Sequence, residues 1–176
     1  MLKSLLISLA ILFCATILES SIFTNISFFI VVPDILLILS IYFSLLNGKL
    51  YGEITGFGSG LFLDLITGSP FGLNCLLRTI IGYVFGFFSR TVIISGLIMP
   101  VLSVGVGTIF KRLFLMIISF IFPSINLYVY SFISKEFLFE FCANIVFAII
   151  IFKIMGFFKK TLSLYDTRDM INHVQD

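Results

Sequence analysis

Tryptophan is absent from the chain, histidine occurs once, and charged residues make up only 11% of it. Each scarcity excludes something. A soluble domain carries about 25% charged residues. A chain with so few, and with 60% hydrophobic side chains, has too little polar surface to cover itself in water. The mean hydropathy of +1.20 agrees. The lone histidine, His173, falls in the polar C-terminal stretch, so the apolar body has no base for Ser-His-Asp catalysis. The three cysteines, Cys14, Cys75 and Cys142, sit inside apolar runs without a CxxC pair. That is neither a disulfide framework nor a zinc site. Without tryptophan, any interfacial belt must use tyrosine and phenylalanine. What is present in quantity is apolar sequence, and 176 residues of it suffice for one compact membrane bundle.

A spanning helix needs about 20 largely apolar residues. Six segments are read, at 3–23, 28–46, 50–66, 71–89, 92–122 and 137–158. The expected fold is therefore an all-α membrane protein, a six-transmembrane-helix bundle over 1–160 with a short cytoplasmic tail at 161–176. The breaks are polar or turn-forming: Ser20 to Ser27 with Thr24 and Asn25, Asn47-Gly48-Lys49, Thr67-Gly68-Ser69-Pro70, Ser89-Arg90-Thr91 and Pro123-Ser124. The first segment, with Lys3 ahead of its apolar run, has the look of a signal peptide but lacks an A-x-A site, and it reads as an uncleaved helix. One side of the membrane would carry Lys3, Lys49, Arg90, Lys159, Lys160 and Arg168, with Lys153 close by, and the other only Lys135. By the positive-inside rule both termini are expected in the cytoplasm.

The fifth segment is too long. Its roughly 31 residues make about 46 Å of helix, against a hydrocarbon core of about 30 Å. Pro100 is expected to kink it. If the helix enters the core near Val92, Lys111 and Arg112 fall near the outer boundary. If it enters near Pro100, they lie close to the midplane and need partners. A charge at the centre costs at least about 2.5 kcal/mol, which favours the first placement.

The densest stretch of glycine is Gly52 to Asn74. Gly52, Gly56, Gly60 and Asp64 recur at i, i+4 and share a helix face. The next segment carries Arg78, Gly82, Gly86 and Arg90 at the same spacing. Small residues so spaced let backbones approach closely. The two faces are expected to pack together, or to form a seam for a third helix. Asp64 and Arg78 are expected to pair, the arginine reaching outward along its stem. With Asp34, Lys111, Arg112 and Glu140 they would form an outer cluster of three acids and three bases, and Asn144 shares a face with Glu140. Such a cluster is either a neutral network fixing helix register or a substrate or ion site. Glu53 is placed near the inner headgroups or Lys49. The Gly56-Phe57-Gly58-Ser59-Gly60 run is no phosphate loop, since Leu61-Phe62-Leu63 follows where a Walker motif needs Lys and Ser or Thr.

Residues 30–90 resemble the rod shape-determining protein MreD family. The resemblance rests on Pro33-Asp34, Gly56-Phe57, Gly60-Leu61, Asp64, Pro70, Gly72-Leu73-Asn74, Leu76-Leu77 and Gly82-Tyr83, while the fifth and sixth segments carry no matching motif. It implies a non-enzymatic scaffold in the bacterial inner membrane, without cofactor and without a nucleic-acid partner. It also implies partners: a bitopic MreC-like protein, with MreB, RodA and a class B penicillin-binding protein in the same elongation machinery. The implied fold is similar to the S-components of energy-coupling-factor vitamin transporters. That similarity supplies the alternative, a small-molecule-binding transporter component in which Asp34, Asp64, Arg78 and Glu140 orient a ligand. Ala10 and Ala15 lack the Ala-xxx-Ala spacing such a component would use for docking.

Overall fold

The computed structural model describes residues 2–21, 32–89, 98–123 and 134–164. Every element among them is helical: α1 (Leu2–Ser21), α2 (Ile35–Asn47), α3 (Lys49–Thr67), α4 (Leu73–Phe87), α5 (Ile98–Ile121), α6 (Lys135–Phe157) and a single turn, α7 (Lys159–Leu162). Three of these, α1, α5 and α6, are long and apolar enough to cross a membrane, while α2 and α4 are apolar but shorter. Arg90, Thr24, Asn25, Ser124, Arg168 and His173 fall outside the described residues, as do positions 92–97 of the fifth segment.

α2 is the central post. It is apolar on all sides, and Leu36 through Asn47 are all buried. A helix of that character belongs in a core. Its two serines turn their hydroxyls onto the helix backbone, Ser40 to Leu36 O at 2.7 Å and Ser44 to Ser40 O. Ser40 Oγ also lies 2.9 Å from Ser59 Oγ of α3. The chain leaves α2 through Gly48, whose φ of +91° only glycine adopts without strain, and reverses at once into α3.

The glycine faces of α3 and α4 are turned on each other. A Cβ at Gly52 would strike the Gly82 carbonyl, and one at Gly56 the Arg78 carbonyl. A Cβ at Gly60 would lie 2.5 Å from Asn74 and Cys75 backbone atoms, and one at Gly86 would lie 2.6 Å from Lys49 Cα. These neighbours are backbone, which cannot step aside as a flexible side chain can. The seam is thus filled by the hairpin's own second helix, not by a third. Gly58 points elsewhere, toward Leu9 of α1.

Of the long segment, the described part is α5 from Ile98, with Pro100 buried against the bundle. The kink expected at Pro100 turns on positions 92–97, which lie outside the described residues. α6 ends at Phe157, and the chain continues through α7 back against the bundle. Leu162 is fully buried, and its carbonyl accepts from Ser4 Oγ at 2.5 Å and Asn47 Nδ2 at 3.0 Å. Leu164 N donates to Asn47 Oδ1 at 2.8 Å. Leu162 and Leu164, at the start of the stretch read as a cytoplasmic tail, thus have partners in α1 and α2.

Candidate functional site

The N-terminus of α2 is where the other helices converge. Asp34 is its N-cap: Oδ1 accepts the Leu37 N–H at 2.8 Å, satisfying one of the donors a helix start leaves open. The same oxygen accepts Arg78 Nη2 of α4 at 2.7 Å, and Oδ2 accepts Lys111 Nζ of α5 at 2.7 Å. The Asp34 N–H donates to Asn144 Oδ1 of α6 at 2.8 Å, and Asn144 Nδ2 lies 3.1 Å from Thr108 Oγ1 of α5. From α1, Glu19 Oε2 accepts the Leu36 N–H at 3.2 Å. Four helices thus place side chains on the first turn of a fifth.

The network extends through Lys111, which also donates to Glu140 Oε1 of α6 at 2.8 Å. Glu140 Oε2 accepts Arg112 Nη2 at 2.9 Å, and the Arg112 guanidinium lies 5.1 Å from the centre of the Phe137 ring. Asp34, Arg78, Arg112 and Glu140 are all buried. Distances of 2.7–2.9 Å are those of charge-assisted bonds. Burying an ion costs several kcal/mol, and the attraction offsets this only with good geometry and further hydrogen bonds. Asp34 meets that condition: its carboxylate has three partners, in addition to the positive end of the α2 dipole. Arg78 does not. It is 1% exposed, yet its Nε and Nη1 have no acceptor among the described residues.

Asp64 stands apart from this network, and the expected Asp64–Arg78 pair is not formed. Its carboxylate faces the start of α4 instead. Oδ1 accepts Ser69 Oγ at 3.0 Å, Asn74 Nδ2 at 2.8 Å and Asn74 N at 3.3 Å. Oδ2 accepts Gly72 N at 2.9 Å and Cys75 N at 3.3 Å. The physical reason is local. The N-cap of α4 is Gly72, at φ +93°, with no side chain to cap its helix. An acid from the preceding helix supplies the missing acceptor, and a carboxylate at a helix N-terminus also meets the favourable end of the dipole.

Lys111 and Arg112 lie past the middle of α5, with helix continuing to Ile121, and both have acidic partners. Lys49 places its ammonium 4.1 Å from the centre of the Phe87 ring, an aromatic neighbour where Glu53 was considered. Glu19 was overlooked as a site residue. Its signal was available: it is the only acid in the 20 residues of α1, and an acid inside an apolar helix warrants a partner. With Glu19 replacing Asp64, the network again counts three acids and three bases: Glu19, Asp34, Glu140 and Arg78, Lys111, Arg112. At the other end of α2, an apolar cavity of about 170 Å³ lies between Leu45, Phe85, Phe88, Met99 and Leu102. It shares no residue with the ionic network.

Residues 2–158 match the family model described as rod shape-determining protein MreD. No curated protein and no solved structure matches the chain.

Proposed function

Because the chain belongs to the MreD family of rod shape-determining membrane proteins, we propose that it is a non-enzymatic, multi-pass scaffold of the bacterial inner membrane. It crosses the membrane six times with both termini in the cytoplasm. It binds the transmembrane helix and juxtamembrane segment of an MreC-like bitopic protein, and so positions peptidoglycan synthesis along the lateral wall. MreB, RodA and a class B penicillin-binding protein act with it in that machinery.

The observation that carries this reading is the mutual engagement of the buried charges. Asp34 is held by Arg78 and Lys111, and Glu140 by Lys111 and Arg112. Groups so engaged fix the rotation and height of α2, α4, α5 and α6 against one another, which is what a scaffold needs. The vitamin-transporter alternative asks Asp34, Arg78 and Glu140 to orient a ligand, but each of the two carboxylates is already held by two bases. The surface left for a partner is apolar: Leu102, Val106, Ile109, Leu113 and Ile117 of α5 are exposed, as are Val146, Ile150 and Ile154 of α6. In a bilayer, helices associate on such faces by van der Waals packing and a few interhelical hydrogen bonds.

Photo-crosslinking in intact membranes tests this. A crosslinker is placed in turn at each exposed apolar position of the bundle. The MreC-like protein should be captured from one contiguous face and from no other, and cells depleted of the scaffold should lose rod shape. Failure to capture that partner from any position would overturn the reading.

A further inference from the structure

Arg78 is the least reconciled group in the molecule. Its guanidinium remains charged in proteins and carries five N–H donors. Among the described residues only Nη2 has an acceptor, Asp34 Oδ1 at 2.7 Å, while Nε and Nη1 are buried without one. A buried donor without an acceptor costs about 1–3 kcal/mol, more when charged. Native interiors rarely tolerate this, and where protein supplies no acceptor, ordered water usually does.

Charge decides which kind of ligand suits the position. Arg78 already has the Asp34 carboxylate as its counter-ion, so a further anion there would be repelled by Asp34, whereas a neutral oxygen acceptor would not. Glu19 lies within electrostatic reach of Arg78, Asp34 and Lys111, and it is only half-buried, unlike Asp34 and Arg78. It sits in the last turn of α1, at the end of the bundle where α2 begins.

We propose that Arg78 Nε and Nη1 bind internal water, and that Glu19 joins this water to the aqueous face at that end of the bundle. The N-terminus of α2 is then a hydrated site rather than a dry ion knot. α1 is tied to α4 through solvent, without a direct ion pair between Glu19 and Arg78. The ligand class is a small neutral hydrogen-bond acceptor.

Radiolytic hydroxyl-radical footprinting of the full chain in lipid nanodiscs tests this, because radicals made from bound water label side chains that bulk solvent cannot reach. Leu37 reports on the site. It is 1% exposed, and its N–H bonds the same Asp34 oxygen as Arg78. Leu12 and Phe43, both at 0% exposure, serve as dry controls. Leu37 should be labelled several-fold faster than either control, and Arg78→Lys, which keeps the charge but loses the guanidinium fork, should bring it down to the control rate. Leu37 labelled no faster than the controls would overturn the proposal, as would labelling unchanged in Arg78→Lys. Should that variant fail to fold, the ratio in the unaltered protein decides alone. Loss of Leu37 labelling on adding inorganic phosphate would assign the site to an oxyanion and overturn the assignment to water.

Discussion

Arg78 and Asp34 meet at a single oxygen. Oδ1 of the aspartate takes the arginine's Nη2 at 2.7 Å while also taking the Leu37 N–H at 2.8 Å that starts α2. One atom therefore caps a helix and anchors its neighbour. Removing Asp34 leaves Arg78 buried without its counter-ion, which typically costs about 3–5 kcal/mol, while removing Arg78 leaves Asp34 with Lys111 alone. Asp34→Ala and Arg78→Met should each lower the unfolding midpoint in detergent sharply, and the double variant should lose much less than the sum. Additive losses would show that the pair is not coupled.

Asp64 supports a different element, and its substitution should behave differently. Asp64→Ala removes the acceptor for the first turn of α4, a capping loss of about 1–2 kcal/mol. Amide exchange at Gly72, Asn74 and Cys75 should accelerate while α2 stays protected. The coupling of Asp64 with Arg78 should be smaller than that of Asp34 with Arg78. A larger one would restore the pairing that spacing alone suggested.

The glycines of the hairpin should not tolerate growth. Gly56→Leu pushes a side chain into the Arg78 backbone, and overpacking of this kind costs about 3 kcal/mol or more when backbone must move. Even Gly56→Ala and Gly82→Ala should destabilise. Gly156, where a Cβ meets nothing within 4 Å, is the control. Gly156→Ala should be neutral or slightly stabilising in the same melting assay.

Asn47 holds the end of the chain. Asn47→Ala deletes the bonds to Leu162 O and Leu164 N, each worth about 1 kcal/mol. The bundle should keep most of its stability. Residues 159–164 should instead become several-fold more sensitive to limited proteolysis, with Ser4 alone left to hold the Leu162 carbonyl.

The helical hairpin around Gly68 was legible before any coordinates. The i, i+4 glycines of two adjacent segments fix both the contact face and the antiparallel arrangement, because a short turn leaves no other choice. Which charges pair was not legible. Asp64 and Arg78 are near enough along their helices to bridge, but their rotations differ: the Asp64 carboxylate meets the bare Gly72 cap, and Arg78 turns to α2. Helix-to-helix rotation is a tertiary quantity that axial spacing does not carry. Glu19 was passed over because its partner is a backbone N–H, which leaves no complementary residue to notice. The return of α7 was hidden for the same reason, as its contacts are to the Leu162 carbonyl.

The shortness of α2 has a consequence for the surrounding bilayer. Thirteen residues rise about 20 Å, while the hydrocarbon slab is about 30 Å thick. If the Gly48 turn meets one headgroup layer, the Asp34 end stops roughly 10 Å short of the other. The ion pairs then lie recessed below the headgroup layer, and lipid thickness sets how long a path the water at Arg78 must bridge to bulk solvent. A thicker host membrane deepens the recess and tightens each Coulombic contact. A thinner one brings the headgroups down to it. Membrane thickness thereby becomes a physical variable acting on the junction that holds five helices in register.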